Sequence, residues 1–592
     1  MTLRSPWLAG TVCCLIAACS SDSGGPSSSQ CGPATLAMSR TGASGVEGAL
    51  TTLSPLNAAT VNAQELSACL SLAADSGTYV VIPQFATGSG PVSLNGISYQ
   101  LSAGNAASGR VLGDIAMGDH AEGTRPTPQQ RLDVTLRTRE HRLAGQSSAT
   151  LARFNADRAG VSRAATLPAV GSTRTFDVLN DIHGNSFVVD TAVLRLIGTN
   201  IMIYMDKNAP PPPQGFTDAQ LAAFSNLFDH ELYGIDVNLF GSPSDIDGNG
   251  HVIVLFTPTV NKLVTADECT APNGGYVSGF FYGLDLLPDQ RGSNAGEIFY
   301  SLVPDSSGMF SCSHPISQVD RTTPATFIHE FQHMISWNQH VILRGGQDEA
   351  LWLNEGMSHI AEEMGSRYFE HKYPPPLERT NPAQLFPDSA EGFIIGDLSN
   401  AYQYLLTPEQ FSITQFLQDG STPERGGAWL FLRWLGDLKD STIYTKLEQT
   451  SLTGIDNLQT QTGESLPQLF GDFSVALYAD SLVGVSRSVI PRQWRYQSRN
   501  LREMFQALYN ATPDNRDEVP RPFPIPLGTL APNGTQSSSM VPGTEQFYRL
   551  QLSKTGSNVA LKFTDPGGNA FTSQLLGAQV SVFRCPSPQA CQ

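Results

Sequence analysis

The stretch His329-Glu330-Phe331-Gln332-His333 places two histidines four residues apart around a glutamate. Apolar neighbours at helical spacing predict that it lies in a buried helix. Histidines at positions i and i+4 share one helix face, so both imidazoles can reach a single metal ion. A glutamate beside the first histidine can then act as a general base toward water at that metal. The motif therefore predicts a Zn²⁺ site with His329 and His333 as ligands and Glu330 as the catalytic base.

The limits of this helix are predicted from the residues that flank the motif. Thr323 followed by Pro324 is typical of an N-cap and a first helical position. The apolar pattern continues to Asn338. The alternative to a metal site is a pair of hydrogen-bonded histidines in a core helix. A metal site is favoured because buried ionisable groups are costly without a partner.

Zinc needs a third protein ligand and an open position for water. The metzincin continuation H-E-x-x-H-x-x-G-x-x-H fails, because Ser336 and Gln339 occupy its glycine and histidine positions and His340 misses by one residue. A second helix is predicted over residues 347–364, where apolar residues recur at helical spacing. It carries Glu355, 22 residues after the second histidine, which is the predicted third ligand.

Other residues nearby are weaker candidates for the site. Glu349 and Glu362 are further ligand candidates, although exposed charges on a helix are the commoner explanation for such residues. The predicted mechanism also needs a donor that stabilises an oxyanion, usually Tyr, His or Arg. The sequence does not select one among the candidates His359, His340, Tyr368, His371 and Tyr402.

The segment N-E-G-M-S at residues 354–358 resembles the N-E-G-x-S segment of gluzincin metallopeptidases, in which the glutamate binds zinc. With the HEFQH motif and its apolar continuation, residues 195–370 resemble the hyicolysin-like neutral metallopeptidases. The resemblance implies a zinc endopeptidase acting on proteins or peptides, with a thermolysin-like domain of two lobes. Thermolysin-type gluzincins have an aspartate four residues after the ligand glutamate, where it orients a zinc-binding histidine. His359 stands at that position here, so the zinc-binding histidine is expected to have a different hydrogen-bond partner.

A second metal motif lies upstream of the first. Asp245, Asp247 and Asn249, followed by Gly250, match the first half of a D-x-D-x-N-G calcium loop. The twelfth position, however, is Phe256, and the segment that contains it is typical of a buried strand. The sequence therefore leaves two interpretations open, a Ca²⁺ site and an Asp/Gly turn leading into a strand.

The N-terminal residues are predicted to direct export. Arg4 precedes a short apolar run that ends Leu15-Ile16-Ala17-Ala18-Cys19, which resembles a bacterial lipobox. Cys19 is then the lipidated residue that anchors the protein in a membrane. The absence of aspartate after Cys19 favours the outer membrane. The alternative is an ordinary cleaved signal peptide and a freely secreted extracellular enzyme.

Charge and cysteine content agree with an exported protein. The net charge is −18 with only 15% charged residues, which argues against nucleic acid as a partner. Six cysteines remain after the signal and Cys19, and an even number in an exported chain predicts disulfides. The favoured pairing keeps each bridge within one region: Cys31–Cys69, Cys269–Cys312 and Cys585–Cys591.

The predicted fold is multidomain α+β, a gluzincin (thermolysin-like) two-lobed catalytic domain with flanking β-sandwich-type domains. Alternating runs separated by Gly and Ser predict strands near both ends, and helical patterns dominate the region after the zinc site. The predicted units are a lipoprotein signal peptide (1–18), a Ser/Gly-rich tether (19–30), an N-terminal β domain (31–115), a polar linker, helical or loose (116–165), the upper lobe with the zinc site (166–370), a mostly α lower lobe (371–515) and a C-terminal β domain (520–592).

Three functions fit these patterns. The first is a zinc endopeptidase that degrades extracellular or envelope proteins. The second is a catalytically inactive, zinc-stabilised surface protein used for binding or adhesion. Glu330 favours the first, because a structural zinc site has no need of a base beside its metal. A zinc hydrolase with a non-peptide substrate is the third.

Overall fold

The computed structural model describes residues 53–62, 70–72, 76–88, 96–104, 126–158, 166–272, 274–372, 388–418, 420–553, 559–571 and 576–591. The predicted signal peptide, tether and lipidation site at Cys19, and the predicted Cys31–Cys69 bridge, lie outside these residues. The described chain is mixed α+β with several sheets. Among the described residues, no helix combines the length and the apolar character needed to cross a membrane.

The strands are numbered along the described chain. They are β1 Ala58–Asn62, β2 Leu70–Leu72, β3 Gly77–Phe85, β4 Ile97–Ala103, β5 Thr173–Leu179, β6 Phe187–Ile197, β7 Ile201–Asp206, β8 Val252–Phe256, β9 Gly279–Phe281, β10 Ile298–Ser301, β11 Gly528–Leu530, β12 Thr535–Met540, β13 Tyr548–Leu552, β14 Val559–Thr564 and β15 Ala578–Arg584. The α-helices are α1 Pro128–Arg158, α2 Asp218–Leu227, α3 Tyr233–Leu239, α4 Pro258–Asn261, α5 Ala266–Thr270, α6 Ile316–Trp337, α7 Leu351–Lys372, α8 Asp388–Leu406, α9 Thr422–Lys439, α10 Thr442–Glu448, α11 Gly454–Thr462, α12 Leu466–Ala479 and α13 Leu501–Ala511.

Strands from the two ends of the chain pair with one another. One sheet has the order β1-β15-β3-β13-β11 and another the order β12-β4-β14-β2. For example, Val80 of β3 pairs with Phe583 of β15, and Leu101 of β4 pairs with Gln536 of β12. The sequence places these strands in two separate units, whereas in the structure they share both sheets. Alternation identifies a strand and its faces but not its distant partner.

The central sheet carries the strands nearest the predicted zinc site. Its order is β5-β6-β7-β8-β10-β9, with β7, β8 and β10 parallel and the other pairs antiparallel. Strands β7 and β8 are buried along their whole length, as expected for parallel strands covered on both faces. In the described chain, β9 is an edge strand, so one side of its backbone faces away from the sheet.

Helix α6 carries the HEFQH motif and begins earlier than Thr323 and Pro324 predict. It starts at Ile316, and Pro324 lies inside it. A proline here removes one backbone hydrogen bond, while the hydroxyls of Thr322 and Thr323 donate to carbonyls one turn back, at 3.1 and 2.7 Å. The helix nevertheless continues through the proline, and the predicted N-cap is wrong.

The described chain between α6 and α13 is mostly helical. Helix α7 begins at Leu351, four residues later than the pattern from residue 347 predicts. Helix α9 packs against α8 at Gly426, where a Cβ would lie only 2.2 Å from a backbone atom of Asn400. This close approach brings Arg425, the residue before the glycine, against the predicted zinc ligands.

Helix α1 lies in the region that the sequence assigns to a polar linker, helical or loose. Residues Leu132 and Leu136 are buried, and so are Asp133, Arg137 and Glu140 on the same part of the helix. Charged residues are seldom fully buried unless they are paired. This part of α1 therefore packs into the protein instead of running along its surface.

Candidate metal centre

The three predicted zinc ligands come together at the contact between α6 and α7. His329 Nε2 lies 3.5 Å from Glu355 Oε2, and His333 Nε2 lies 3.7 Å from Glu355 Oε1. All three residues are buried. Ligand atoms about 2.1 Å from a tetrahedral zinc ion are separated by about 3.4 Å. The observed separations therefore fit one Zn²⁺ between these atoms.

Both histidines are held through their other ring nitrogen. His329 Nδ1 lies 2.6 Å from Glu362 Oε1, and His333 Nδ1 lies 2.9 Å from Asn354 Oδ1. Such contacts fix the orientation of a ligating imidazole and leave Nε2 for the metal. Glu362 is therefore not the exposed helix charge that the sequence favours. Its carboxylate holds the imidazole of His329 in orientation.

Glu355 supplies the clearest sign that a cation belongs here. Its Oε2 accepts a hydrogen bond from Arg425 Nη1, while its Oε1 is buried and has no hydrogen-bond partner. Burial raises the pKa of Glu355, but Arg425 and the two histidines outweigh that effect and hold it well below its usual range. A buried, charged carboxylate oxygen without a partner is costly, and a metal ion would satisfy it.

The protonation of the two histidines differs in the metal-free site. Burial, with the positive charge of Arg137, holds the pKa of His333 well below its usual range, so this imidazole is neutral. Burial also disfavours charge on His329, but Glu355 and Glu362 outweigh it and raise its pKa well above the usual range. These carboxylates favour a positive charge at His329, and a metal cation can take the place of the proton.

Glu330 lies on the same part of α6 and faces the edge strand β9. Its Oε2 accepts a hydrogen bond of 2.9 Å from the backbone N–H of Phe281. The residue is 2% exposed, and burial raises the pKa of its carboxyl to about 8. Glu330 and His329 both line a cavity of about 320 Å³. The carboxyl group is thus held beside the candidate ligands at the wall of this cavity.

His359 also lines the cavity. Its Nδ1 lies at ion-pair distance from two carboxylates, 2.8 Å from Asp397 Oδ1 and 3.1 Å from Glu362 Oε1, and its buried Nε2 has no hydrogen-bond partner. Burial lowers the pKa of His359, but Glu362 and Asp397 outweigh it and raise the pKa to about 9. His359 is therefore a charged donor whose Nε2 is free for a group in the cavity.

The other candidate oxyanion donors are placed differently. His340 is buried and lies 3.4 Å from Glu448 and 3.7 Å from Glu349. The hydroxyl of Tyr402 donates to the carbonyl of Arg521. Neither residue lines the cavity. Tyr368 is half-buried and does not line it either, and the side chain of His371 lies outside the described residues.

Glu349 is buried and structural. Its Oε1 accepts the backbone N–H of Gly454, and its Oε2 accepts the side-chain amide of Asn457 at 2.7 Å. It is neither an exposed charge nor a member of the described metal-binding groups. Both explanations that the sequence offers for this residue are wrong.

Helix α1 forms one wall of the cavity. Gln129 Nε2 donates to the carbonyl of Gly279 at 2.9 Å, and the N–H of Ser278 donates to Gln129 Oε1 at 3.0 Å. Asp133, one turn along, is held at 2.9 Å by Arg425 Nη2. Arg425 therefore links α1 to the candidate ligand Glu355, and the side-chain amide of Gln129 pairs with the edge of β9 as a peptide group would.

The same helix covers the end of β9. Arg137 Nη2 donates to the carbonyl of Phe281 at 3.0 Å, and Glu140 Oε1 accepts the N–H of Gly283 at 2.6 Å. Arg137 and Glu140 also form a buried ion pair of 2.9 Å. Side chains of α1, together with Glu330 of α6, thus occupy backbone groups that β9 and its neighbouring residues would offer to an added strand.

Two further groups of potential metal ligands do not form independent metal sites. Cys269, Cys312 and His314 lie close together, but the two cysteines form a disulfide and are not thiolate ligands. This bridge and Cys585–Cys591 confirm two of the predicted pairings. The group of His329, His359 and Glu362 shares His329 with the zinc ligands, and its members are already in contact with each other.

The predicted calcium residues also lie together. Asp245 and Asp247 form a further group, made of carboxylates alone, with Glu297, a residue that the sequence did not single out. Asn249 Nδ2 donates to Asp247 Oδ2 at 2.6 Å, and its Oδ1 accepts the N–H of His251.

Sequence reasoning missed several residues that surround the ligands. Asp133 and Arg425 bond to each other across a separation of 292 residues, which no local pattern reveals. Asn354 had a local indication, because it precedes Glu355 within the N-E-G segment. Asp397, whose carboxylate lies 2.8 Å from His359 Nδ1, had no such local indication.

One comparison with known proteins agrees with this geometry. The chain is 26% identical over 196 residues to the neutral metalloprotease ShpI of Staphylococcus hyicus. The match covers 33% of this chain and 40% of that relative. No protein-family model matches the chain. The similarity supports a relationship to metalloproteases and, with the His/Glu cluster, a metal cofactor.

Proposed function

We propose that this protein is a zinc-dependent endopeptidase whose metal is held by His329, His333 and Glu355. The observation that carries the proposal is the cluster of His329, His333 and Glu355, whose ligand atoms lie within 4.8 Å of one another. Each histidine Nε2 lies 3.5 or 3.7 Å from an oxygen of Glu355, and Glu355 Oε1 is buried without a hydrogen-bond partner. Glu330 beside these atoms distinguishes a catalytic centre from a structural one.

The residues have separable roles in peptide hydrolysis. Bound Zn²⁺ supplies Lewis acidity, which polarises a substrate carbonyl and acidifies water. Glu330 takes the proton from the attacking water and later delivers it to the leaving amine. His359 donates from its unpartnered Nε2 to the carbonyl oxygen as that oxygen gains charge. Glu362 and Asn354 keep the two histidines in orientation.

A two-lobed, gluzincin-type cleft fits the lining of the cavity. Ser278, beside β9, lines one side, and Asn400 of α8 and Arg425 of α9 line the other. An extended peptide that added itself to the edge of β9 would pass His329 and Glu330 between these elements. Proteins and peptides are therefore the proposed substrates.

Helix α1 occupies that same edge, so the proposal includes its displacement. Gln129 takes the backbone groups of Ser278 and Gly279 that a peptide strand would use. A substrate chain and α1 in this position compete for the same hydrogen bonds. Cleavage of an extended substrate therefore requires α1 to move away from β9.

Activity measurements on the full chain test the proposal. Zinc-loaded protein is expected to cleave casein, a chelator to stop cleavage, and added Zn²⁺ to restore it. Glu330→Gln should reduce the rate by at least about 10²-fold while one zinc per chain remains bound. Asp320→Asn, an exposed acid on the same helix, is the control and should leave the rate unchanged. Cleavage by Glu330→Gln at the rate of the unmodified protein would contradict the assignment of Glu330 as the base.

The inactive-protein alternative makes a different prediction. A zinc-stabilised binding protein would hold one zinc per chain and show no cleavage even after α1 is released from β9. Zinc content and cleavage measured on the same sample therefore separate the two functions. Cleavage of a non-peptide ester with no action on any peptide would instead support the third hypothesis.

Export and membrane anchoring through Cys19 form a separate part of the proposal. The support is the lipobox-like segment Leu15-Ile16-Ala17-Ala18-Cys19. In a bacterial host, the chain should incorporate labelled palmitate and fractionate with the outer membrane. Cys19→Ala should abolish labelling. Palmitate-free protein in the culture medium would favour the ordinary signal peptide.

A further inference from the structure

A group of three carboxylates lies in the loop before β8 and at the start of β10. Oxygen atoms of Asp245, Asp247 and Glu297 all lie within 4.8 Å of one another. Glu297 is 1% exposed; its Oε1 accepts hydrogen bonds from Ser244 Oγ at 2.5 Å and from the N–H of Ile246 at 2.8 Å. Its Oε2 is buried and has no hydrogen-bond partner. Three acidic groups so close together need a proton or a cation between them.

The charges around Glu297 show the cost of leaving the group without a cation. Burial raises the pKa of Glu297 to about 7, and Asp247 and Asp245 contribute to that rise despite the hydrogen bonds from Ser244 and Ile246. Burial likewise raises the pKa of Asp247. A bound cation would let these carboxylates stay charged.

The structure also accounts for the glutamate that the loop sequence lacks. In a calcium loop of this type, a carboxylate at the twelfth position completes the ligand set. That position is Phe256, which is buried in β8. Glu297 directly precedes β10, and its carbonyl accepts the N–H of Ile253 in β8 at 2.7 Å. A neighbouring strand thus brings a carboxylate to the loop from a distant part of the sequence.

We propose that Asp245, Asp247 and Glu297 form a Ca²⁺ site that fastens the loop before β8 to the start of β10. Hard oxygen ligands without His or Cys suit Ca²⁺ and not Zn²⁺. The site is separate from the zinc ligands, and its role is to stabilise the central sheet. It does not depend on the proposed peptidase activity.

Thermal unfolding of the full chain tests this site. Glu330→Gln serves as the background because it prevents self-digestion. The protein is dialysed against EDTA, reloaded with one equivalent of Zn²⁺ and titrated with CaCl₂. At a Ca²⁺ concentration 100-fold above Kd, the melting temperature should rise by about 2 °C. No rise at 10 mM or an equal rise with MgCl₂ would overturn the proposal.

Variants separate calcium binding from a purely structural role. Glu297→Gln should lose the rise caused by Ca²⁺, yet melt no lower than its parent without Ca²⁺, because it relieves the repulsion among the carboxylates. Asp247→Asn is the second variant, with the same expectation. Asp218→Asn, an exposed acid outside the group, should respond to Ca²⁺ like the parent. A Ca²⁺ response that survives in both test variants would overturn the assignment.

Discussion

Replacing Gln129 by alanine should activate the protein toward long peptides. In the structure, Gln129 makes two hydrogen bonds to backbone groups at the edge of β9, at 2.9 and 3.0 Å. Each such bond contributes about 0.5–1.5 kcal/mol net, so their loss weakens the hold of α1 on β9 by about 1–3 kcal/mol. Alanine has the highest helix propensity, so the helix itself is not weakened.

The expected rate increase follows from this free energy. Where the form with α1 displaced is a minor species, its population rises about tenfold for each 1.4 kcal/mol by which the contact between α1 and β9 is weakened. We therefore expect kcat/KM for an internally quenched peptide of ten residues to rise by about tenfold. The matched control is Arg139→Ala on the same helix, whose guanidinium contacts His183 and Asn185 outside the cavity. It should leave kcat/KM unchanged.

The outcome that would refute this reasoning is equally specific. Gln129→Ala protein with one zinc per chain and an unchanged or lower kcat/KM would mean that α1 does not compete with substrate. A rise of the same size in Arg139→Ala would mean that general loosening of the helix, and not the edge of β9, controls the rate.

Three further predictions follow from buried carboxylates. Glu362→Ala should weaken zinc binding by about 10–100-fold in a competition titration, because His329 loses its Nδ1 partner; unchanged affinity would contradict that role. Glu363→Ala should lower the free energy of unfolding in urea by about 3–5 kcal/mol. The buried guanidinium of Arg499 lies 2.8 Å from Glu363 and would lose this carboxylate. A loss under 1 kcal/mol would contradict the burial argument. Burial raises the pKa of Glu545 from 4.5 to about 8, so its contribution to stability is complete below pH 4.5 and is lost as the pH rises through 8. Glu545→Gln should remove up to about 5 kcal/mol of this pH dependence, and an unaltered pH profile of unfolding would show that Glu545 is charged in the folded protein.

The core of the candidate site could be predicted because its information is local. The spacing of His329 and His333 is set by one helical turn, and Glu355 lies on the next predicted helix, which packs against the first. The buried strand expected around Phe256 is likewise observed, as β8, since the pattern of a buried strand extends over only a few residues.

The rest of the site depends on contacts between distant segments. Arg425 reaches Glu355 across 70 residues, and only the packing of α9 on α8 determines that approach. The carboxylate of Glu362 was misjudged because helical position alone does not reveal which face is covered. The role of α1 was missed for the same reason, since its polar composition suggested a linker and its buried charges are paired only in the folded protein.

The central claim is that His329, His333 and Glu355 together bind one zinc ion. Zinc content and zinc-edge X-ray absorption measured on the purified full chain test it most directly. The expected result is one zinc per chain with two imidazole nitrogens at about 2.0–2.1 Å and oxygen as its remaining neighbours. Glu355→Ala should lower the zinc content and change the oxygen shell. Protein that binds no zinc, or binds it through sulfur at about 2.3 Å, would contradict the claim.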